Sequence, residues 1–196
     1  QSCIAAKRFI VLERFKERFE ELLVKQMAHQ KIGNPKHNDT TIGPLAKYDI
    51  RGELHKQVRD SIDKGAICVL GGWLPELRGA LYPPTVLTNV PKGSPAYEEE
   101  LFGPVAVIIS AKDEDDAIQI ANESKFGLGA AVFTSDDEMG TRIAEKELEA
   151  GCCFVNDLVR SDPRLPFGGI KESGYGRELS QYGIKEFVNI KTVYVR

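Results

Sequence analysis

The chain has 196 residues, 42% hydrophobic and 28% charged, with a net charge of −3; a globular chain of this size can bury about 70% of its unfolded surface. Its 26 Lys and Arg are scattered and not striped, so nothing tracks a phosphate backbone and nucleic acid is not expected as a partner. No apolar run approaches the roughly 18 residues that cross a bilayer. Four Cys, with Cys152 and Cys153 adjacent, are too sparse for a disulfide framework and point to a reducing, cytoplasmic setting.

In chain order, the β-branched and aromatic run over residues 8–12 predicts a strand. Phe15, Phe19, Leu22, Leu23 and Met27 then fall on one helical face among charges. Residues 31–45 read as a loop by their Gly, Pro and Asn. Ile50, Leu54, Val58 and Ile62 recur every four residues and mark a second amphipathic helix that stops near Gly65. Residues 66–70 predict a strand halted by Gly71 and Gly72, and 73–95 an irregular stretch holding a short strand at 85–87. Residues 105–110 predict a strand, and 113–123 a helix with acids in its first turn, where the helix dipole favours them. Residues 129–134 predict the next strand. Ser135 and Glu138 have the spacing of a capping box, starting a helix that runs to about Glu149. A strand over 152–155, a loop over 156–177, a short helix over 178–183 and a strand over 190–195 complete the chain.

The alternation predicts an α/β fold, an open and mostly parallel sheet with flanking helices. No repeat or linker interrupts it, so residues 1–188 are expected as one domain. Residues 189–196 are expected as a terminal edge strand that pairs with another subunit. Several chemistries are not expected. His29, His37 and His55 stand far apart, without Cys or acid at metal-ligand spacing. There is no P-loop and no GxSxG elbow. The pair Gly127 and Gly129 lacks the third glycine of a dinucleotide fingerprint and leads into a strand. Cys68, Cys152 and Cys153 lie in apolar runs, where a thiol is usually a small buried hydrophobe.

Cys3 remains. It opens a short turn before the first strand, and a thiol at a helix N-terminus is favoured as thiolate. By itself that is thin, but the surrounding motifs add to it. The run Gln1-Ser2-Cys3-Ile4-Ala5-Ala6-Lys7-Arg8-Phe9 resembles the nucleophile segment of the aldehyde dehydrogenase superfamily. Thr41-Ile42-Gly43-Pro44-Leu45, Glu99-Glu100-Leu101-Phe102-Gly103-Pro104-Val105 and Phe126-Gly127-Leu128 with Ala130 to Thr134 resemble three further family stretches. Leu165-Pro166-Phe167-Gly168-Gly169-Ile170-Lys171, with Ser173, Gly174, Gly176, Arg177 and Glu178, resembles a fifth. The five occur in family order over essentially the whole chain.

The resemblance implies NAD(P)-dependent oxidation of an aldehyde to an acid. Cys3 attacks the aldehyde carbon, backbone N–H groups hold the thiohemiacetal oxyanion, hydride leaves for the nicotinamide of NAD or NADP, and water hydrolyses the thioester. It implies Glu100 on the nicotinamide ribose, Phe102 on the nicotinamide ring, and Phe167 in the substrate funnel. The run from Val159 to Phe167 is similar to the loop of succinate-semialdehyde dehydrogenases, where a Ser at the place of Ser161 binds the distal carboxylate. Arg160 or Arg164 could add a bidentate partner for that carboxylate; as surface loop charges they would do nothing to substrate. Other aliphatic or aromatic aldehydes, and a non-catalytic assembly module, stay open as alternatives. In such a family the general-base Glu, the oxyanion Asn and the nucleotide fold precede the nucleophile. The start at Gln1 is therefore expected to be a cut within a longer protein, inactive as a fragment, whose full form is a homodimer or homotetramer.

Overall fold

The computed structural model describes residues 1–196 and divides them into two compact units, residues 1–120 and 121–196. In the first unit a four-stranded sheet runs in the order β1 (Arg8–Leu12), β4 (Val105–Ala111), β3 (Thr85–Thr88), β2 (Ile67–Leu70). The β1–β4 and β4–β3 pairs are parallel and β2 is antiparallel to β3. The mostly parallel sheet with flanking helices is the expected class.

The pleat sorts the side chains of this sheet with a period of two. Val105, Val107 and Ile109 of β4, Leu87 of β3 and Ile10 and Leu12 of β1 pack on one face, with Leu54 and Val58 of α2 (Tyr48–Asp63). Ala106, Ile108, Val86, Phe9 and Val11 pack on the other, with Phe19, Leu23, Val24 and Met27 of α1 (Glu13–Ala28). Both faces of β4 are covered, which is why that strand reads as a continuous apolar run over residues 105–109 and not as an alternating one. Leu54 and Val58 are 2% and 0% exposed, and burying each such side chain contributes about 1.5–3 kcal/mol. Phe15 and Leu22, expected on the inner face of α1, are instead exposed. Between β3 and β4 lies one short helix, α3 (Pro95–Glu98).

Helix α4 (Glu114–Asn122) follows β4 and carries Glu114, Asp115 and Asp116 in its first turn. In the second unit β6 (Gly129–Val132) and β7 (Cys152–Val155) form a parallel pair, crossed over by α5 (Asp137–Lys146). An antiparallel pair joins β5 (Phe126–Gly127) to β8 (Ile170–Lys171). Strand β8 falls inside the expected 156–177 loop; two residues give too short an alternation to register in the sequence. Helix α5 is capped by Asp136, whose carboxylate accepts from the Met139 amide at 2.9 Å, and not by Ser135 as the box spacing suggests. A carboxylate is the better acceptor at the positive end of a helix. A last helix, α6 (Ser180–Gly183), continues into a 3-10 turn at Ile184–Phe187.

No strand forms over 190–195, and Ile190, Val193, Tyr194 and Val195 are each at least 74% exposed. Alternation can propose a strand, but only a neighbour's backbone makes one, and residues 189–196 have no paired strand in this chain.

Candidate active site

Cys3 lies five residues ahead of β1, and Phe102 three residues ahead of β4. Those strands are parallel neighbours with Arg8 opposite Val107, so the segments that lead into them emerge at the same edge of the sheet. Residues about a hundred positions apart are brought together by that pairing. The Val107 amide donates to the Lys7 carbonyl at 3.1 Å and carries the ladder one residue beyond the strand.

The turn at Cys3 is closed by one hydrogen bond, from the Ala5 amide to the Ser2 carbonyl at 3.1 Å. It is a single turn and not a helix start, so the stacked free N–H groups and dipole of a helix are not available to the thiol. Lys7 lies across this turn. Its ammonium donates to the carbonyls of Ser2 at 3.0 Å and Ala5 at 3.2 Å, on either side of Cys3. It also sits 5.3 Å from the centroid of the Phe102 ring, a cation–π distance. Partial burial pushes the Lys7 ammonium below its ordinary range, opposed by the nearby Glu100 carboxylate and then by Cys3. Sequence reasoning passed over Lys7; its spacing of four from Cys3, across one turn, was the available signal. Cys3 is exposed and free, while Cys68, Cys152 and Cys153 are half-buried and free.

The Glu100–Pro104 segment is held from beneath. Leu101 is 1% exposed, the Thr85 amide donates to the Pro104 carbonyl at 2.9 Å, and the Val105 amide to the Gly103 carbonyl at 2.8 Å. A Cβ on Gly103 would run into Cδ2 of Leu54, so only glycine lets this loop lie on α2. With Leu101 turned in, Phe102 is turned out and is 39% exposed. The three acids at 98–100 differ sharply. Glu98 accepts from the Gly93 amide and Glu99 from Gln57. Glu100 uses only its backbone carbonyl, which Gln57 reaches at 3.3 Å, and its exposed carboxylate is left for something else.

In the second unit Ser161, Arg164 and Phe167 lie on one loop. The Ser161 hydroxyl is exposed and makes no hydrogen bond. Arg164 is fully engaged on one edge: its Nε and Nη2 donate to the two oxygens of Asp162 at 2.9 and 2.6 Å, and its amide to Oδ1 at 2.9 Å. Arg160 pairs with Asp157 at 2.6 Å. Both pairings are local, with Asp162 two residues from Arg164 and Asp157 three from Arg160. Phe167 is clamped by a reciprocal pair of backbone hydrogen bonds with Glu178, at 2.9 and 2.8 Å. Arg177 donates to the Gly169 and Gly176 carbonyls at 3.0 and 2.6 Å. A side chain at Gly151 would strike the Gly168 carbonyl, so the glycines here serve close backbone approach.

The segments that lead into two parallel neighbours thus bring a free thiol, a carboxylate without an internal hydrogen bond and an outward aromatic ring to the same end of the sheet. The sequence matches the aldehyde dehydrogenase family over residues 1–193. It is 50% identical over 194 residues to an aldehyde dehydrogenase of Paenarthrobacter nicotinovorans, and 46% identical over 194 residues to the succinate semialdehyde dehydrogenase [NAD(P)+] Sad of Escherichia coli K12. Each match takes in 99% of this chain and 42% of the relative. A succinic semialdehyde dehydrogenase from Streptococcus pyogenes, solved with NADP+, superposes with a TM-score of 0.95 at 40% identity, over 100% of this chain and 43% of that one. A betaine aldehyde dehydrogenase from Staphylococcus aureus, solved with NAD+, gives 0.90 at 34% identity over 95% and 38%. The chain belongs to the aldehyde dehydrogenase family, and it spans about two-fifths of the length of these relatives.

Proposed function

We propose that the whole protein carrying this chain oxidises succinate semialdehyde to succinate with NAD or NADP, and that Cys3 is its nucleophile. The observation that supports this reading is the parallel pairing of β1 and β4, which leads the segments carrying the exposed Cys3 thiol and the exposed Glu100 and Phe102 to the same end of the sheet. Cys3 as thiolate adds to the aldehyde carbon to form a C–S bond, and the carbonyl oxygen becomes an oxyanion for backbone N–H donors. A thiol suits the later hydrolysis as well, because it leaves more readily than a hydroxyl would.

The residues present fit a nicotinamide nucleotide: an outward ring can stack on a nicotinamide, and a carboxylate free of internal hydrogen bonds can accept from ribose hydroxyls. Phe102 and Glu100 would hold it, and when bound it supplies the hydride acceptor. Ser161 would donate to the distal carboxylate of the substrate, with Arg164 beside it and Phe167 lining the approach. The relatives that act on succinate semialdehyde, at 46–47% identity, support this choice of substrate. Four free thiols fit a reducing cytoplasm, and residues 189–196 would gain their strand partner from a second copy in a homodimer or homotetramer.

The test is NAD(P)H formation by the whole protein with succinate semialdehyde and with hexanal, in wild type, Cys3→Ala and Ser161→Ala. Cys3→Ala should abolish both reactions, and Ser161→Ala should raise KM for the carboxylated aldehyde alone. Activity surviving in Cys3→Ala would end the assignment of the nucleophile. Equal losses on both aldehydes in Ser161→Ala would favour a dehydrogenase for other aliphatic or aromatic aldehydes, and no turnover of any aldehyde by wild type would favour an assembly role.

A further inference from the structure

The Phe102 ring, offered above to a nicotinamide, already carries a cation. The Lys7 ammonium lies over it, 5.3 Å from the centroid. That ammonium is tethered: it also donates to the Ser2 and Ala5 carbonyls at 3.0 and 3.2 Å. The Val107 amide donates to the Lys7 carbonyl at 3.1 Å, which ties the lysine backbone to β4. The ring is held as firmly, between the buried Leu101 and Gly103, where Leu54 leaves no room for a Cβ. The next residue is turned elsewhere, since Arg8 lies over the Tyr97 ring at 5.2 Å and donates to the Ile120 carbonyl at 2.9 Å. Lys7 is thus the cation that meets Phe102, and none of the motifs discussed gives it a task.

The two redox forms of a nicotinamide differ in charge: the oxidised ring is a cation and the reduced ring is neutral. An aromatic face attracts cations through its quadrupole, and two cations on one ring compete for that attraction and repel each other. This holds for either face of Phe102. On the face that Lys7 covers, an oxidised nicotinamide must push the ammonium aside; on the other it shares the ring with it. The reduced form meets no such repulsion. We propose that Lys7, acting through Phe102, is a positioning residue that biases the nicotinamide site towards the reduced cofactor. The proposal rests on Phe102 being the ring that meets the nicotinamide, and it does not depend on which thiol is the nucleophile. In the oxidation proposed above, a hydride passes with its electron pair from the aldehyde-derived carbon, which is oxidised, to the nicotinamide, which loses its positive charge. A fixed cation on the Phe102 ring therefore favours the forward transfer and slows escape of the reduced cofactor. Glu100 is the opposite charge near Lys7; its exposed carboxylate accepts no internal hydrogen bond, so it can turn to ribose hydroxyls while Lys7 stays tied to the turn and to β4.

The experiment is isothermal titration calorimetry of the whole protein with NAD+ and NADH, and with NADP+ and NADPH. It compares wild type with Lys7→Met, Lys7→Gln, Lys7→Arg and Phe102→Leu, with circular dichroism to confirm that each variant folds. The quantity read is the ratio of Kd for the oxidised form to Kd for the reduced form, taken for the pair that binds more tightly. A general disturbance of the turn would weaken both forms and leave that ratio in place. Lys7→Met and Lys7→Gln should lower the ratio by about threefold to fivefold, through tighter binding of the oxidised form, and Lys7→Arg should keep the wild-type ratio. An unchanged or raised ratio in the two neutral variants, with Phe102→Leu weakening both forms, would overturn the proposal and leave Phe102 as the ring that meets the nicotinamide. An equal fall in Lys7→Arg would also overturn it, because charge would not be the cause. Nucleotide binding indifferent to Phe102→Leu would overturn the reading of Phe102, and the proposal with it.

Discussion

Gly103 offers a sharp test of why the Phe102 loop lies where it does. Its backbone is not in the left-handed region, so Gly103→Ala meets no torsional barrier; what the new methyl meets is Cδ2 of Leu54, with Cδ2 of Leu45 at 3.4 Å behind it. Leu54 is 2% exposed and Leu45 4%, so neither can swing into solvent, and an added methyl in such a place costs about 1–3 kcal/mol. Leu54→Ala removes the obstructing atom and, as a buried truncation, costs about 2–5 kcal/mol alone. The double variant should be less destabilised than the two losses together by at least about 1 kcal/mol, because the alanine at 103 fills part of the space that Leu54 vacates. Urea unfolding of the four proteins gives the cycle. Activity gives a second reading: Gly103→Ala should lose up to about a hundredfold in kcat/KM as the loop shifts by about an ångström, and Leu54→Ala should restore part of it. Losses that add within about 0.5 kcal/mol would show that Gly103 and Leu54 are not in the contact described, and would refute the steric account of this glycine.

Other consequences are more direct. Iodoacetamide at neutral pH should label Cys3 at least about tenfold faster than Cys68 or Cys153, which are half-buried and whose thiols burial pushes upward; uniform labelling in a folded sample would contradict this. His55 is held below the ordinary imidazole value by burial first, then by Arg59 and Arg51, and its Nδ1 lies 3.2 Å from the Tyr82 hydroxyl. The unfolded chain therefore takes up this proton at higher pH than the fold does. The stabilisation is complete above about pH 6.5 and is lost as pH falls towards the depressed value. His55→Gln should flatten that acid-side loss in urea midpoints between pH 7.5 and 5.5, and an unchanged slope would refute it. Asp136→Ala should cost about 1 kcal/mol through loss of the cap on α5, seen as a lower unfolding midpoint with Ser135→Ala as the near-silent control.

How much of this was legible in the sequence follows from which contacts are local. The period of four in Ile50, Leu54, Val58 and Ile62 belongs to one helix and was readable, as was the unbroken apolar run of β4. Strand β8 and the cap at Asp136 were not, because each turns on one or two residues. The strand order β1-β4-β3-β2 could not be read either, and it alone explains why Cys3 and Phe102 share an edge. The motifs named Cys3, Glu100 and Phe102 by resemblance; the fold adds that the Glu100 carboxylate, unlike those of Glu98 and Glu99, accepts no internal hydrogen bond. The hydrogen bonds of Lys7 depend on the bend of the turn, which no periodicity encodes.

The loop arginines show the opposite difficulty, where local chemistry was present and overlooked. Arg164 was expected to meet a substrate carboxylate, yet Asp162 already occupies its Nε and Nη2 edge, and that pairing holds the Asp162 carboxyl well below the usual range. The Arg164 side chain is exposed and that of Asp162 partly covered, and an ion pair with an exposed partner contributes little, so Asp162 can neither bar a substrate carboxylate nor hold Arg164 rigidly for one. What it does is cancel the charge that an anionic aldehyde would feel. Asp162→Asn keeps an oxygen to accept from the Arg164 amide and removes the opposing charge. KM for succinate semialdehyde should then fall by about twofold to fivefold, more at low ionic strength than at high, while KM for hexanal stays put. A rise in KM for the carboxylated substrate would mean that Asp162 orients Arg164 more than it neutralises it, and equal changes for both aldehydes would mean that the loop does not meet the distal carboxylate at all.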